Sequence, residues 1–384
     1  MKTGSPIYLD HAATSWPKPE SVSKRMLEIL NGPAANSGRG NYRMAINAGR
    51  SVLQTRTHLA QLFQIDNPND IAFTSNTTEA LNLAIKGCLR EGDHVVATMV
   101  EHNSVRRPLE YLKRIKGIRV DYIPVTAQGE LDLKELERLV TPLTRLVVCA
   151  HSSNLLGNIL PIEEISSIAH AKGVSVLVDA AQTAGCYPVN VNKMGVDMLA
   201  FPGHKSLLGP QGTGGLYIHP QLELEPLLHG GTGSQSEALE MPKVRPDQYE
   251  AGTLNTVGIA GLGAGVQLVL EQGVENIHQY EWQLTQKLMQ GLLEIKGMRC
   301  LGPELGRPRT GLVAFTLEGH DASEIAFRLD RHFNISVRAG YHCTPLGHMS
   351  AGTTTGGAVR ASVGYSTTEQ EIEALISAMK QIAQ

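Results

Sequence analysis

Apolar and amphipathic segments alternate regularly between residues 71 and 218, and this pattern is compatible with few folds. Short apolar runs predict strands, and the segments between them have the periodicity of helices with one apolar face. The predicted strands cover residues 71–74, 94–100, 120–125, 146–150, 174–178, 197–201 and 214–218. Apolar strands that alternate with amphipathic helices predict an α/β fold with a mostly parallel seven-stranded sheet, flanked by helices on both faces.

The C-terminal part of the chain has a different order of elements. Helices are predicted at residues 259–271, 277–295, 322–332 and 369–382, and strands at 311–317, 335–338 and 359–363. This order is typical of a smaller α+β domain, and a chain of 384 residues is long enough for two domains. We expect a large domain of residues 15–259 and a small domain formed by residues 1–14 and 260–384.

Composition excludes several classes of function. The formal net charge is −3 and no basic cluster is present, which argues against a nucleic-acid partner. No apolar run reaches the length of a membrane span, and the start of the chain lacks the apolar core of a signal peptide, so a cytoplasmic location is expected. The five cysteines are odd in number and lack C-x-x-C spacing, which favours neither a disulfide framework nor a structural zinc site.

Polar side chains follow five of the predicted strands, directly after each strand ends. They are Thr77 and Thr78, His102, Asn154, Asp179 with Gln182, and His204 with Lys205. In an open parallel sheet, ligands bind beyond the carboxyl ends of the strands. The sequence therefore predicts that these residues converge on one polar ligand.

Three of these positions match the needs of pyridoxal 5'-phosphate. The cofactor requires a Schiff-base lysine, a carboxylate for its ring nitrogen and an anion site for its phosphate, which Lys205, Asp179 and residues 76–78 could supply. Each residue also has an ordinary structural interpretation. A lysine beside glycines is usually a surface residue, residues 76–78 form a helix cap in either case, and His102 could be a core histidine.

Several motifs together resemble a known family. The sequences Tyr8–Thr14, Thr77–Glu79, Asp179–Gln182, Gly203–Lys205 and Glu250–Thr256 resemble the signatures of class V aminotransferase-fold enzymes that use pyridoxal phosphate. The sequences Arg338–Cys343 and Arg360–Ser362 resemble the cysteine desulfurase family of the short-loop type. These motifs span nearly the whole chain.

The resemblance implies a role for each residue of the cofactor site. Lys205 would hold the cofactor and move protons, Asp179 would pair with the ring nitrogen, Gln182 would bond the phenolic oxygen, and His102 would stack on the ring. Three residues would bind the phosphate within one subunit: Thr77 through its backbone, Thr78 and His204. Thr253 would reach the phosphate of the other subunit, which implies a homodimer.

The resemblance also implies the chemistry. Asn154 and Arg360 would hold the carboxylate of L-cysteine, Arg360 through a bidentate fork. Cys343 would accept the sulfur as a persulfide and alanine would be released, with iron–sulfur cluster assembly or a related sulfur pathway as the destination and a possible acceptor protein as partner. A thiolate attacks sulfur readily, and cationic neighbours such as His342 and Arg338 favour the thiolate form. Cys343 could instead be an inert thiol, or a metal ligand together with His342 and His348.

The chain departs from the family pattern at four positions. Pro202 replaces a hydroxyl residue that usually bonds the phosphate, Tyr341 replaces a histidine, Thr344 replaces an alanine, and Asn103 follows His102. Three rival functions therefore stay open: a lyase acting on selenocysteine or another β-substituted alanine, an aminotransferase, and a non-catalytic binding protein. The retained Lys205, Asp179 and His102 argue against the last of these.

Overall fold

Clusters of buried hydrophobic side chains divide the described chain into a larger and a smaller unit. The computed structural model describes residues 6–32, 35–38, 40 and 42–384. The larger cores of buried side chains lie on the two faces of a seven-stranded sheet, and a separate core lies between a four-stranded sheet and the C-terminal helices. The predicted α/β architecture with a smaller α+β unit is confirmed.

The large sheet contains seven of the strands. They are β2 (Ile71–Thr74), β3 (His94–Thr98), β4 (Arg119–Ile123), β5 (Thr144–Ala150), β6 (Ser175–Asp179), β7 (Met198–Pro202) and β8 (Gly214–Ile218). Their order across the sheet is β2-β8-β7-β6-β5-β3-β4, and only β8 runs antiparallel to its neighbours. Every residue of β3, β7 and β8 is buried, because helices cover both faces.

The helices of the chain precede, alternate with and follow these strands. They are α1 (Glu20–Asn31), α2 (Arg43–Phe63), α3 (Thr77–Cys88), α4 (Asn103–Lys116), α5 (Leu133–Leu139), α6 (Ile162–His170), α7 (Val191–Met194), α8 (Thr256–Gln272), α9 (Val274–Leu293), α10 (Ala322–Phe333), α11 (Pro345–Ala351) and α12 (Glu369–Ile382).

Side-chain hydrogen bonds cap the N-termini of α3 and α4, the two helices that begin at the site. Asn76 begins α3 by accepting a hydrogen bond from the Glu79 backbone N–H at 3.0 Å. His102 begins α4 in the same manner, because its Nδ1 accepts from the Ser104 backbone N–H at 3.0 Å. Both helices start directly beyond a strand, so their N-termini lie at the carboxyl edge of the sheet, where free backbone N–H groups attract anions.

The smaller unit is built on antiparallel strands. The order is β12 (Arg338–Gly340), β13 (Ala358–Ser362), β10 (Leu312–Leu317) and β9 (Met298–Cys300). The N-terminal strand β1 (Ile7–Tyr8) pairs in parallel with β11 (Ile335–Ser336), so the start of the described chain belongs to this unit.

The structure differs from the sequence prediction in a few elements. The strand predicted at 335–338 is two short strands, β11 and β12, in different sheets, and β9 and α11 were not predicted. Helix α8 packs against α1 and α2 of the larger unit, whereas the apolar face of α9 contributes to the smaller core. The division at residues 259 and 260 stays a prediction, and residues 1–5 of the proposed small domain lie outside the described residues.

No single helix among the described residues is both long and apolar enough to cross a membrane. Helices α8 and α9 meet that criterion of length and composition only when they are taken together, and they meet at an angle of 82°.

Candidate active site

A cavity of about 220 Å³ opens at the carboxyl edge of the large sheet. It gathers residues from the ends of several strands, from the N-terminal segment and from the smaller unit. Its lining includes Ala12, Ala13, Asn76, Thr77, Thr78, Val100, His102, Ser104, Ala150, Ser152, Asn154, Asp179, Ala181, Gln182, His204, Lys205, Arg338 and Arg360. The structure thus brings together every predicted cofactor and substrate residue except Thr253.

Lys205 lies three residues beyond β7 and faces the cavity. Burial lowers the pKa of its amine to about 8, and the Asp179 carboxylate opposes that shift. Among the described residues Nζ makes no hydrogen bond or ion pair. An amine that loses its proton more readily than that of an exposed lysine, and that has no competing partner in the described chain, is suited to attack a carbonyl.

Asp179 is the last residue of β6 and is buried. Burial raises the pKa of its carboxyl, and a hydrogen bond from the Ala181 backbone N–H at 2.9 Å opposes the rise. It forms no ion pair within the part of the chain that the structure describes. Because a buried carboxylate without a cation is unfavourable, a cationic ligand atom in this cavity would be stabilised beside it.

Three side chains link the N-termini of α3 and α4 beside the cavity. The hydroxyls of Thr78 and Ser104 are 2.8 Å apart, and the Ser104 hydroxyl is 2.8 Å from Nδ1 of His102. Burial, followed by the charge of Lys205, lowers the pKa of His102 to about 4, so its ring is neutral. Since Nδ1 accepts the Ser104 backbone N–H, the ring carries its proton on Nε2.

Gln182 and His204 lie on either side of the N-terminal segment. Gln182 donates through Nε2 to the Ala12 carbonyl at 3.2 Å. His204 approaches the Thr14 hydroxyl through Nδ1 at 3.1 Å. Burial is the main cause that lowers the pKa of His204 to about 4, and the charges of Lys205 and Lys18 add to it. His204 is therefore a neutral hydrogen-bonding group.

Pro202, the position without a hydroxyl, is the last residue of β7 and pairs with Gly214. It does not line the cavity, whereas the hydroxyls of Thr78 and Ser104 do. Ser104 is a site residue that the sequence analysis missed. Its position two residues after His102, within the first turn of α4, is the signal that could have identified it.

Arg360 and Asn154 also line the cavity and contact each other. Arg360 is fully buried, donates to the Asn154 carbonyl at 2.9 Å through Nη1 and pairs with Asp10 at 2.8 Å through Nη2. Its Nε has no partner among the described residues. An unpaired buried donor is unfavourable, so an acceptor atom from a ligand would be stabilised there. Asn154 in turn donates to the His342 carbonyl.

Cys343 is partly exposed and lies beside the cavity rather than in its lining. Arg338, which lines the cavity, approaches Sγ at 3.6 Å through Nη2. The Asn103 backbone N–H donates to the Cys343 carbonyl at 2.8 Å, and the Thr344 hydroxyl lies 3.2 Å from the carbonyl of Glu101. The thiol is thus held against the junction of β3 and α4, next to His102.

The structure corrects one expectation about this thiol. His342 is not a cationic neighbour, because burial, followed by the charge of Arg360, lowers the pKa of its ring to about 3. Its Nε2 donates to the Ala358 carbonyl at 3.0 Å, and its ring stacks on His348 at 5.9 Å. Across residues 6–32, 35–38, 40 and 42–384, no group of three or more His, Cys, Asp or Glu side chains is arranged to hold a metal.

Thr253 lies away from the cavity of its own chain. It is exposed, and its hydroxyl accepts a hydrogen bond from the Asn36 side chain at 3.3 Å. Tyr341 is also exposed and donates to the Thr354 carbonyl.

Comparisons with known proteins identify the family. The model of the class V aminotransferases matches residues 7–375. A probable cysteine desulfurase of Methanothermobacter thermautotrophicus is 37% identical, over 98% of this chain and 94% of the relative. A cysteine desulfurase of Yersinia pseudotuberculosis is 34% identical, over 98% and 93%. The chain belongs to the class V aminotransferase family, and within it to the cysteine desulfurase family.

Solved structures agree with these sequence matches. The apo structure of a cysteine desulfurase from Thermococcus onnurineus NA1 superposes with a TM-score of 0.93 at 34% identity, over 98% of this chain and 94% of that chain. A cysteine desulfurase from Escherichia coli superposes with a TM-score of 0.89 at 28% identity, with the same coverage.

Proposed function

We propose that the protein is a cysteine desulfurase that uses pyridoxal 5'-phosphate, converts L-cysteine to L-alanine and carries the sulfur as a persulfide on Cys343. The observation that carries the proposal is the placement of Lys205, Asp179 and the N-terminus of α3 around one cavity, with the Cys343 thiol beside it. The relatives named cysteine desulfurase at 34% and 37% identity support the same activity.

The residues present fit this cofactor. Asp179 is a buried carboxylate that pairs with no cation in the described chain, and the protonated ring nitrogen would supply one. The Lys205 amine, which has no hydrogen-bond partner among the described residues, would hold the aldehyde carbon. The N-terminus of α3, with Thr77 and Thr78, and the neutral His204 would hold the phosphate. Gln182 would bond the phenolic oxygen.

The cofactor, when bound, withdraws electrons from the carbon skeleton of the amino acid. The protein's own residues do the rest. The substrate carboxylate would bind at Arg360, next to its unpaired Nε, and at Asn154. Lys205 would move a proton at Nζ, which a pKa of about 8 permits near neutral pH. His102 would face the ring as a neutral imidazole with its proton on Nε2.

Sulfur transfer balances without an external oxidant. Sγ of Cys343 attacks the sulfur of L-cysteine, an S–S bond forms and the substrate C–S bond breaks, with its electron pair going to carbon. The proton lost by the Cys343 thiol balances the new C–H bond of alanine, and the substrate sulfur keeps its hydrogen in the persulfide. Nη2 of Arg338, at 3.6 Å from Sγ, is placed to stabilise negative charge on sulfur.

The test is a cysteine-dependent assay of alanine and sulfide on the wild type and on Cys343→Ala, with a visible absorption spectrum of each protein. We expect both proteins to show the spectrum of a lysine-bound cofactor, and the variant to lose at least about a hundredfold in turnover because it has no sulfur acceptor. Cys300→Ala is the matched control, since Cys300 is also a partly exposed thiol but does not contact the cavity. Unchanged desulfuration by Cys343→Ala would contradict the proposal.

The same variant separates the rival functions. A lyase acting on selenocysteine or another β-substituted alanine would keep its elimination activity in Cys343→Ala. An aminotransferase would require a keto acid and would release no sulfide. Neither rival explains the contact between Arg338 and Sγ of Cys343.

Assembly, pathway and location are also part of the proposal. Thr253 is exposed and lies outside the cavity of its own chain, so its proposed role is to reach the cavity of a second copy in a homodimer. The five cysteines are unpaired, which suits a reducing compartment such as the cytoplasm. A persulfide on a partly exposed cysteine can be passed to an acceptor protein, as iron–sulfur cluster assembly requires.

A further inference from the structure

Several donors from the N-terminal segment converge on a single backbone oxygen, the carbonyl of His204. The Ser15 backbone N–H approaches this oxygen at 3.1 Å, the Ser15 hydroxyl at 3.2 Å and the Thr14 hydroxyl at 3.0 Å. Nζ of Lys18 makes the shortest contact, at 2.7 Å. His204 directly precedes the lysine of the cavity, so these contacts act on the backbone that carries Lys205.

One assignment of hydrogens satisfies all of these groups. A carbonyl oxygen has two lone pairs, which the Lys18 amine and the Ser15 backbone N–H can occupy. The Ser15 hydroxyl accepts from Lys18 at 2.7 Å and can then donate to the Lys205 carbonyl at 2.9 Å. The Thr14 hydroxyl is left to donate to Nδ1 of His204, at 3.1 Å.

This assignment determines the tautomer of His204. The ring is neutral, because its pKa is lowered to about 4 by burial and by the charges of Lys205 and Lys18. When Nδ1 accepts the Thr14 hydroxyl, the ring must carry its proton on Nε2. His204 then presents an N–H donor, the form that binds a phosphate oxygen. Without Lys18, the Thr14 hydroxyl could turn to the vacated lone pair of the His204 carbonyl, and the proton could move to Nδ1.

The charge of Lys18 is not compensated by any carboxylate among the described residues. It is partly buried, and in the described chain it pairs with no carboxylate; its contacts are a hydroxyl and a carbonyl. Burial lowers the pKa of its amine to about 8. A partly buried cation without a counterion is unfavourable unless an anion lies near it. The phosphate proposed to bind at His204 would be that anion.

We propose that Lys18 is a positioning residue for the cofactor phosphate, because it holds the His204 carbonyl, leaves the Thr14 hydroxyl to Nδ1 and so presents His204 as an Nε2–H donor. The inference rests on the proposed function, since it requires pyridoxal phosphate in the cavity. It assigns a role in cofactor binding to the N-terminal segment Thr14–Lys18. This segment contacts the loop that carries Lys205 but supplies no atom to the cavity lining.

The test compares two ligands on three proteins. Pyridoxal 5'-phosphate and pyridoxal differ only in the phosphate, and their dissociation constants can be measured by absorbance titration of the cofactor-free wild type, Lys18→Met and Lys24→Met. Lys24 is an exposed lysine of α1 and serves as the control. We expect Lys18→Met to bind pyridoxal phosphate about tenfold more weakly and pyridoxal nearly as well as the wild type. Lys24→Met should bind both as the wild type does.

Thr14→Val is a second, independent variant, because it removes the hydroxyl at Nδ1 of His204 and keeps Lys18. It should show the same phosphate-selective loss, even if Lys18→Met does not fold. Equal weakening of both ligands in these variants, or no weakening, would overturn the inference. The thermal midpoint of each cofactor-free protein shows whether a general loss of stability accompanies the change.

The wild type separates this inference from the proposed function. If the wild type binds pyridoxal phosphate but the variants show no phosphate-selective loss, only the role of Lys18 is wrong. If the wild type itself does not bind pyridoxal phosphate, both the proposed function and the inference are wrong.

Discussion

The cofactor cavity and the Cys343 turn are built in different ways. The cavity residues lie at the ends of strands and at capped helix N-termini, where the register of the sheet determines their positions. Cys343 lies in a turn after the three-residue strand β12, and both His342 and Cys343 have positive φ, at 49° and 62°. A few hydrogen bonds to the segment that joins β3 to α4 replace regular structure there.

Binding of the cofactor and placement of the thiol therefore depend on largely different contacts, although Asn154 and Arg338 line the cavity and also contact the turn. Damage to the turn should spare Lys205 and Asp179, because among the described residues neither of them bonds Cys343 or its neighbours. Damage to the cavity should remove both cofactor binding and sulfur transfer, since the thiol has no substrate to attack unless the cofactor is bound.

Replacement of the cavity lysine should reduce turnover more than any other substitution considered. Lys205→Ala should lose the absorption of the lysine-bound cofactor and at least about a thousandfold in turnover, because both the amine and its proton transfer are removed. The measurement is a visible spectrum together with the alanine assay. The Cys343→Ala protein is the natural comparison, since it should lose turnover with its spectrum intact. If Lys205→Ala retained the wild-type spectrum, another amine would hold the cofactor.

A smaller effect is expected where the two regions join. The Thr344 hydroxyl is buried and lies 3.2 Å from the carbonyls of Val100 and Glu101. Thr344→Val keeps the shape but removes this link, at about 1 kcal/mol of stability for a lost hydrogen bond.

We expect about a tenfold loss in the rate of alanine formation by Thr344→Val, with no change in the dissociation constant of pyridoxal phosphate. Thr344→Ser, which keeps the hydroxyl, should restore most of the rate. A variant that loses cofactor affinity and rate together would show that the turn and the cavity are one unit rather than two.

The last prediction concerns stability rather than activity, at a residue that touches both regions. Glu101 is buried between β3 and β5, its Oε1 accepts from Thr98 and Ala150, and its carbonyl faces Thr344. Burial raises the pKa of its carboxyl from 4.5 to about 8. Between these values the folded protein holds a proton that the unfolded chain has released, so stability falls as pH rises through this window.

Replacing this acid with an amide should remove that contribution. The free energy of unfolding should change with pH less steeply in Glu101→Gln than in the wild type between about pH 5.5 and 7.5. The difference between the two slopes should be about 1.4 kcal/mol per pH unit. Glu164→Gln, which changes an exposed carboxyl on α6, is the control and should follow the wild-type curve. Parallel curves for the wild type and Glu101→Gln, measured by denaturant unfolding at several pH values, would show that Glu101 does not bind this proton.

The sequence predicted the positions of those site residues that follow from the order of strands and helices. Asp179 ends a strand of the parallel sheet, and Lys205 and His102 follow one, so their convergence could be predicted from strand ends alone. The role of Cys343 could be predicted only from the resemblance of Arg338–Cys343 to a family motif. A turn after a short strand has no sequence periodicity from which its geometry could be predicted.

Contacts between distant parts of the chain could not be predicted in this way. Lys18 reaches the His204 carbonyl across 186 residues of sequence, and its partner is a backbone oxygen, which every residue has. The neutral state of His342 depends on its burial against Ala358 and His348, so its charge was predicted wrongly from its chemical type. Burial is a property of the packed fold rather than of neighbouring residues.

The two consecutive left-handed residues in the turn have a consequence for protein engineering. A side chain at positive φ is disfavoured by roughly 1–2 kcal/mol relative to glycine, and asparagine tolerates this backbone better than most residues. At position 343, with φ at 62°, the residue best for stability therefore differs from the residue needed for sulfur transfer. A screen for heat-resistant variants that does not also select for activity should enrich glycine or asparagine at this position and discard the thiol.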